Sequence, residues 1–335
     1  MVSGQHRAVL ADESERDPLA WRPSSGPIAI LPAASAGTSS PFAEAVERAG
    51  GAVAPLSPDT RGIIWLSYAD AARLGDVLDA NPQVGWVQLP WAGVDAFTDV
   101  LARHRRDDLL VTSAKGAYAQ PVAEHALTLL LASMRLIPQR ARATSWNSTP
   151  AGESLYGRIV LIVGAGGIAR ELIRLLVPFG TTIVVVRRST DPVPGAARTV
   201  PADRLPEELP HADAVVLAAA LTDDTRHLLG RRELALMKPT AHLVNIARGP
   251  LVDTDALVEA LAGATLGSAA LDVTDPEPLP DGHPLWNEPR CVITPHMADT
   301  PDMTAPLLAE RIRLNTAAFL GNGPFVGVVD PIRGY

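Results

Sequence analysis

The sequence predicts an α/β protein built from two doubly wound parallel sheets. Three observations lead there. Short apolar, β-branched runs alternate with helical patterns along the chain. The 335 residues, 47% of them hydrophobic, exceed what one ordinary domain uses. Residues 159–169, Ile-Val-Leu-Ile-Val-Gly-Ala-Gly-Gly-Ile-Ala, pass from a strand through glycines into a helix.

Residues 1–25 are polar and read as a loosely held extension. Pro27–Pro32 then predicts a strand, Pro41–Ala49 a helix, Ile63–Leu66 a strand and Ala69–Ala80 a helix. Val84–Leu89 is a strand running into Pro-Trp-Ala-Gly-Val-Asp, and Leu109–Thr112 is another. Pro121–Arg142 predicts one long helix: Pro121 suits a first turn, and Leu127, Leu130, Leu131 and Met134 recur at helical spacing. Residues 143–157 are polar and carry Gly and Pro, which predicts an exposed arm. A second α/β run follows, with strands at Ile159–Val163, Thr182–Val186, Ala214–Leu217, His242–Asn245, Gly267–Asp272 and Cys291–Thr294. Arg170–Gly180 is the helix after the first of these. Pro306–Leu320 is an amphipathic helix expected to return to the first domain, because no strand follows Pro295.

The formal charge of −8 argues against nucleic acid or an anionic membrane as a partner. The single cysteine, Cys291, excludes an intrachain disulfide and, lying in an apolar run, reads as a buried inert thiol. The longest apolar stretch, Ala126–Ser133, is too short to cross a bilayer, and no signal peptide is visible. A soluble cytoplasmic protein is the expectation.

The glycine turn predicts a phosphate site. Gly164 permits the tight turn, Gly166 lets a pyrophosphate approach the backbone, and Ala169 lets helix and strand pack closely. The unpaired N–H groups of the helix start then face the anion.

Four polar residues follow strands of the second sheet, where ligands bind in such folds. Arg248 follows the strand ending at Asn245, Asp272 ends the next, Glu277 lies five residues on, and His296 follows Thr294-Pro295. Taken singly, Arg248 reads equally as a solvated loop arginine, Glu277 as surface charge, His296 as a helix cap and Asp272 as a turn former. Their joint placement on one edge suits reduction of a 2-keto acid. Arginine forks onto the carboxylate and carbonyl, histidine moves the proton, and a carboxylate orients the imidazole.

The matched motifs are Gly-Ala-Gly-Gly-Ile-Ala (164–169), Leu-Thr-Asp-Asp-Thr-Arg-His-Leu-Leu (221–229), Asn-Ile-Ala-Arg-Gly-Pro-Leu-Val-Asp (245–253), Asp-Val-Thr-Asp-Pro-Glu-Pro-Leu-Pro (272–280) and Thr-Pro-His-Met-Ala (294–298). On these the chain resembles the D-isomer-specific 2-hydroxyacid dehydrogenases, from about residue 26 to 330. The resemblance implies a Rossmann dinucleotide-binding domain, residues 116–295, inserted into a flavodoxin-like substrate domain of residues 26–115 and 296–335. It implies Arg248, Glu277 and His296 as the catalytic trio. Cofactor contacts are implied at Gly164, Gly166, Gly167, Ile168, Ala219, Thr225, Ile246, Ala247, Asp272, His296 and Ala298. It implies that Trp91, Ala92 and Gly93 form a substrate turn, and that the protein is a homodimer through the helix from Pro121 and the arm. Trp146 on that arm is a candidate to reach the partner's active site.

The cofactor expectation is NADP, with NAD as the alternative. Where a NAD-preferring fold ends its second strand on an acidic residue, this chain has Arg187, then Arg188 and Ser189. Two arginines and a hydroxyl suit a 2′-phosphate. The function expected is NADPH-linked reduction of a small 2-keto acid such as glyoxylate or hydroxypyruvate. A dinucleotide-sensing corepressor or scaffold of the same fold is the alternative. An enzyme acting on phosphite or formate is weaker, because nothing marks an extra anion pocket.

Overall fold

The computed structural model describes residues 21–32 and 40–330; most of the N-terminal extension expected at 1–25 lies outside them. The chain forms two compact units. One consists of the described residues up to Tyr118 together with those from Thr300 onward, and the other is Ala119–Asp299.

In the first unit four parallel strands lie side by side in chain order: β1 (Ile28–Leu31), β2 (Gly62–Trp65), β3 (Trp86–Gln88) and β4 (Leu110–Thr112). A parallel bridge from Ile28 to Val53 adds a further element outside β1. Counting Val53 as the second strand position gives the order 2-1-3-4-5, that of flavodoxin-like sheets. Helix Pro301–Phe319 packs on helix Pro41–Arg48 in this unit. It starts five residues earlier than expected. Pro306 is accommodated inside it, where its ring costs one backbone hydrogen bond.

Tertiary bonds fix the loops at the carboxyl ends of these strands. Arg311 of the long helix is fully buried and donates to the carbonyls of Ser113 and Lys115, each at 2.8 Å. Burial pulls its guanidinium down to about 10, which leaves it charged at neutral pH. Gln88, Thr112, Trp86 and Asn315 form a buried hydrogen-bonded chain that links β3, β4 and the long helix. Because each polar group finds a partner there, the network ties these elements together instead of destabilising the core.

The second unit carries seven parallel strands: β5 (Ile159–Val163), β6 (Thr182–Arg187), β7 (Arg198–Pro201), β8 (Ala214–Leu217), β9 (His242–Asn245), β10 (Ser268–Leu271) and β11 (Cys291–Ile293). Their spatial order is β11-β10-β9-β8-β5-β6-β7. This is the Rossmann order, with its reversal between β5 and β8. Six strands were expected. The seventh, β7, was not legible because an edge strand reading Arg-Thr-Val-Pro has no apolar run. The core of this unit is aliphatic, with Leu161, Val163, Val184, Val215, Leu217, Leu243 and Leu271 all buried. Cys291 is also buried, and its thiol is pushed up to about 12 by burial, as the apolar run predicts.

The long helix expected over Pro121–Arg142 is two helices, Ala119–Met134 and Ile137–Ala141. Leu136 between them has φ 55°. Pro138 cannot donate the bond that would carry the first helix through Met134, so the chain breaks there. Residues 143–151 are exposed and without regular structure. Among the described residues no helix is long and apolar enough to cross a membrane.

Candidate active site

The sheet order converts motifs scattered along the sequence into a row. At the carboxyl ends of β6, β5, β8, β9, β10 and β11 stand, in that spatial order, Arg187, the glycine turn, Ala219, Arg248, Asp272 with Glu277, and His296. Five inter-strand steps of about 4.8 Å make this row on the order of 24 Å long.

The glycine turn follows β5. Gly164 has φ 111°, and a Cβ there would lie 2.4 Å from the Ala218 carbonyl oxygen. Only glycine fits both the left-handed backbone and the approach of the β8 loop. A Cβ on Gly166 would meet no heavy atom within 4 Å, so protein leaves that space open. Gly166 is the N-cap of helix Gly167–Leu176, and no side chain caps it. The free N–H groups of Gly167, Ile168 and their neighbours therefore suit a pyrophosphate, and Ala169, fully buried, seats the helix on the strand. The residues present fit a bound dinucleotide.

Thr225, expected at the cofactor groove, has a structural use as well. Its hydroxyl donates to the Ala220 carbonyl at 2.8 Å and accepts from Thr222 N at 2.7 Å. It thereby fixes the loop after Ala219. Ile246 and Ala247 are buried at the end of β9.

Arg248 is held by a local turn. Asn245 Nδ2 donates to the Arg248 carbonyl at 2.8 Å, Ala247 N donates to Asn245 Oδ1 at 3.1 Å, and Arg248 Nη1 donates to the Ala247 carbonyl at 2.7 Å. Next to it, a Cβ on Gly249 would fall 1.9 Å from the Thr274 carbonyl oxygen. The loops after β9 and β10 touch backbone to backbone there. That contact brings the Arg248 loop against the loop carrying Glu277. Thr254 Oγ1, donating to the Asp275 carbonyl at 2.7 Å, ties them again.

His296 Nδ1 lies 2.7 Å from Glu277 Oε1. Both side chains are about half exposed, so the pair faces open space. His296 has φ 52°. This conformation is uncommon for a non-glycine residue and persists only where surroundings over-determine it. Here they do: His296 N donates to the Asp272 carbonyl at 2.7 Å, Met297 N to Asp272 Oδ1 at 2.9 Å, and Ala298 N to Asp272 Oδ2 at 3.1 Å.

Asp272 grips the turn that carries His296. Expected at the nicotinamide end of a cofactor, it is 2% exposed, and its carboxylate faces the His296 turn. Burial raises its pKa, but hydrogen bonds from His125, Thr294 and Met297 outweigh this and hold it below the usual carboxylate range. His125 was given no role in the sequence, and Thr294 entered only as the first residue of the motif that carries His296. Neither sits in a glycine-rich or charged motif; only the pairing of β10 with β11, and a helix above it, brings them to Asp272. Asp299 nearby has its pKa raised by burial, with His296 pulling it down and Asp272 adding to the rise.

Residues 296–299 belong to the second unit, so the boundary lies at 299/300 and not at 295/296. The three backbone bonds onto Asp272 are the reason. Trp91, Ala92 and Gly93 belong to the first unit. The Trp91 carbonyl accepts from Ala114 N at 2.9 Å, and its ring packs edge-on against Tyr68 and Tyr118. Tyr118 Oη donates to the Pro90 carbonyl at 2.5 Å.

At the end of β6, Arg187 is half-buried and Arg188 exposed. Ser189 was expected to offer its hydroxyl to a phosphate. Its Oγ donates to the Asp191 carboxylate and accepts from Asp191 N at 3.1 Å. The hydroxyl is used within its own turn, an Asx/ST-type arrangement.

A nucleotide cradle, an arginine and a carboxylate-paired histidine along one parallel-sheet edge define a class: nicotinamide-dependent dehydrogenases of the doubly wound type. The model of the D-isomer specific 2-hydroxyacid dehydrogenase NAD binding domain matches residues 126–298. An uncharacterized protein in the proB 3′ region of Corynebacterium melassecola is 39% identical over 262 residues, 77% of this chain and 86% of that protein. A glyoxylate reductase of Thermococcus gammatolerans is 33% identical over 256 residues, covering 73% of this chain and 76% of that one. The crystal structure of a D-isomer specific 2-hydroxyacid dehydrogenase from Xanthobacter autotrophicus, in complex with NADPH and MES, superposes with a TM-score of 0.76 at 26% identity. It covers 93% of this chain and all of that one. The chain belongs to the D-isomer-specific 2-hydroxyacid dehydrogenase family and is an NAD(P)-dependent oxidoreductase.

Proposed function

We propose that this protein reduces a small 2-keto acid, of the glyoxylate or hydroxypyruvate kind, to the D-2-hydroxy acid with NADPH. The observation that carries the reading is the His296–Glu277 pair at 2.7 Å, on the same sheet edge as Arg248 and the glycine turn. The glyoxylate reductase named in Thermococcus gammatolerans supports the substrate size, and the NADPH complex from Xanthobacter autotrophicus supports the cofactor.

Arg248 binds the keto acid carboxylate and polarises its carbonyl. His296, as imidazolium, gives its proton to the carbonyl oxygen as the alcohol forms. Glu277 accepts from Nδ1, which presents Nε2 to the substrate and stabilises the charged ring before transfer. A nicotinamide dinucleotide held on the glycine turn at Gly164, Gly166 and Gly167 would supply the hydride that the carbonyl carbon accepts. Arg187 and Arg188 favour a cofactor with a 2′-phosphate, because guanidinium pairs with phosphate in charge-assisted bonds. Ser189 stands in the same turn, with its hydroxyl bonded to Asp191.

The turn at Trp91, Ala92 and Gly93 offers backbone N–H groups to the substrate carboxylate. The protein works as a cytoplasmic homodimer through the arm at 143–157. Trp146 is 95% exposed on that arm, and an apolar ring so exposed on a segment without regular structure suits burial against a second copy.

The deciding experiment is a panel of 2-keto acids with NADPH and NADH, read by loss of reduced-nicotinamide absorbance. Turnover of glyoxylate or hydroxypyruvate with NADPH is expected. Activity only on keto acids with large side chains would overturn the substrate reading.

A further inference from the structure

We infer that His125 is a positioning residue for His296, acting through Thr294 and Asp272. The inference rests on His296 being the proton donor. His125 lies on helix Ala119–Met134, and its Nε2 is 2.9 Å from Thr294 Oγ1 and 3.3 Å from Asp272 Oδ1. Thr294 Oγ1 donates its one hydrogen to Asp272 Oδ1 at 2.6 Å. Toward His125 the hydroxyl is therefore an acceptor, and Nε2 must carry a hydrogen. The chain of donors runs one way: His125 to Thr294 to Asp272.

Asp272 passes that order on to the acid–base histidine. Its carboxylate accepts from Met297 N and Ala298 N, and its carbonyl from His296 N. These bonds hold His296 in its positive-φ conformation, with the ring aimed at Glu277. The Asp272 side chain is 1% exposed and that of His125 20%, so water does not readily replace a lost donor. A buried carboxylate short of a donor seeks new partners or takes up a proton. Either change loosens the Met297 and Ala298 bonds and lets the imidazole swing. His125 reaches none of the reacting atoms, so it alters the proton-transfer step and leaves ligand binding alone.

The test compares His125→Ala, His125→Gln and Thr294→Val with the parent, as cofactor-loaded enzymes. It reads the single-turnover rate at saturating keto acid, KM for the keto acid, and Kd for reduced cofactor by fluorescence. His125→Ala and Thr294→Val are expected to slow single turnover about tenfold or more, since small misalignments of a reacting group cost that much. KM and Kd stay within about twofold. Gln at 125 keeps an N–H donor and restores most of the rate. A folded His125→Ala protein with a parental rate overturns the inference. So does His125→Gln if it is as slow as His125→Ala, or a loss confined to KM and Kd. If His125→Ala does not fold, Thr294→Val decides by the same criteria. His296→Ala separates the two levels: if it turns over normally, the acid–base reading fails. If it is inactive while His125→Ala and Thr294→Val are normal, only the positioning role fails.

Discussion

The imidazole Nδ1 of His296 and the Glu277 carboxylate meet at 2.7 Å although their backbones leave the sheet from different strands, β11 and β10. The contact is made on the exposed side of the strand edge, with Asp272 gripping the backbone of the His296 turn from the buried side. One carboxylate thus holds the ring and another holds the chain that carries it.

Removing the proton donor should remove chemistry and spare the fold. His296→Ala is expected to lower kcat by about two to four orders of magnitude, the usual worth of a positioned acid–base group. Glu277→Gln, which keeps shape and drops charge, should lose about tenfold to hundredfold. Steady-state kinetics alongside circular dichroism checks this. Near-parental kcat in a folded His296→Ala protein refutes the mechanism.

Arg248→Ala should act on substrate capture. Loss of a charge-assisted pair is worth about 1.5–3 kcal/mol, so kcat/KM should fall at least tenfold, with cofactor Kd unchanged. A KM for the keto acid that does not move would show that Arg248 holds something else.

Gly249→Ala tests the contact between the two loops. The added methyl would sit 1.9 Å from the Thr274 carbonyl oxygen, closer than any real contact, and the obstacle is backbone. The two loops must part, costing about 1–3 kcal/mol of stability as overpacking does, and Arg248 and Glu277 lose their register. A lowered Tm together with lowered kcat is expected. An unchanged Tm would mean that the loops are not held together at this point.

Cofactor choice is tested by Arg187→Ala and Arg188→Ala, singly and together. The double variant should lose NADPH efficiency by tenfold or more while NADH efficiency changes little. The measurement is kcat/KM for both cofactors. Parental preference for NADH that survives Arg187→Ala would end the NADPH reading.

Asp272 predicts an acid limb of stability. Its folded-state pKa lies below the ordinary 3.8. Where the folded pKa is depressed, the unfolded chain binds more protons, so the contribution is complete above the ordinary value and lost as pH falls through the folded one. Urea midpoints measured from pH 6 down to pH 3 should fall more steeply for the parent than for Asp272→Asn, which is less stable at pH 6. Parallel curves would show that the carboxylate is not held in the folded state.

Ten of the eleven strands are legible in the sequence, because buried parallel strands are unbroken apolar runs whatever their neighbours. The exception is β7, an edge strand whose residues bury little. The expected helix also runs through Leu136, because helical spacing resumes beyond the break and only backbone geometry shows the turn. The glycine turn, Arg248, Glu277 and His296 were visible because they follow successive apolar strands of one sheet, so that residues unremarkable singly fall together on one edge. Nothing in a linear chain shows that Asp191 folds back onto the Ser189 hydroxyl.

Sequence by itself determined which groups this protein has for its reaction: a phosphate cradle, a guanidinium, a carboxylate and an imidazole, each following an apolar strand. Tertiary structure decided how they are held. Strand order sets their sequence along the edge, Gly249 lets two loops meet, and His125 and Asp272 find one another across 147 residues. The physical reason is that hydrogen bonds and close backbone contacts depend on distances of a few tenths of an ångström. Apolar periodicity, which is all that spacing records, fixes which face is buried and leaves those distances to the packed fold.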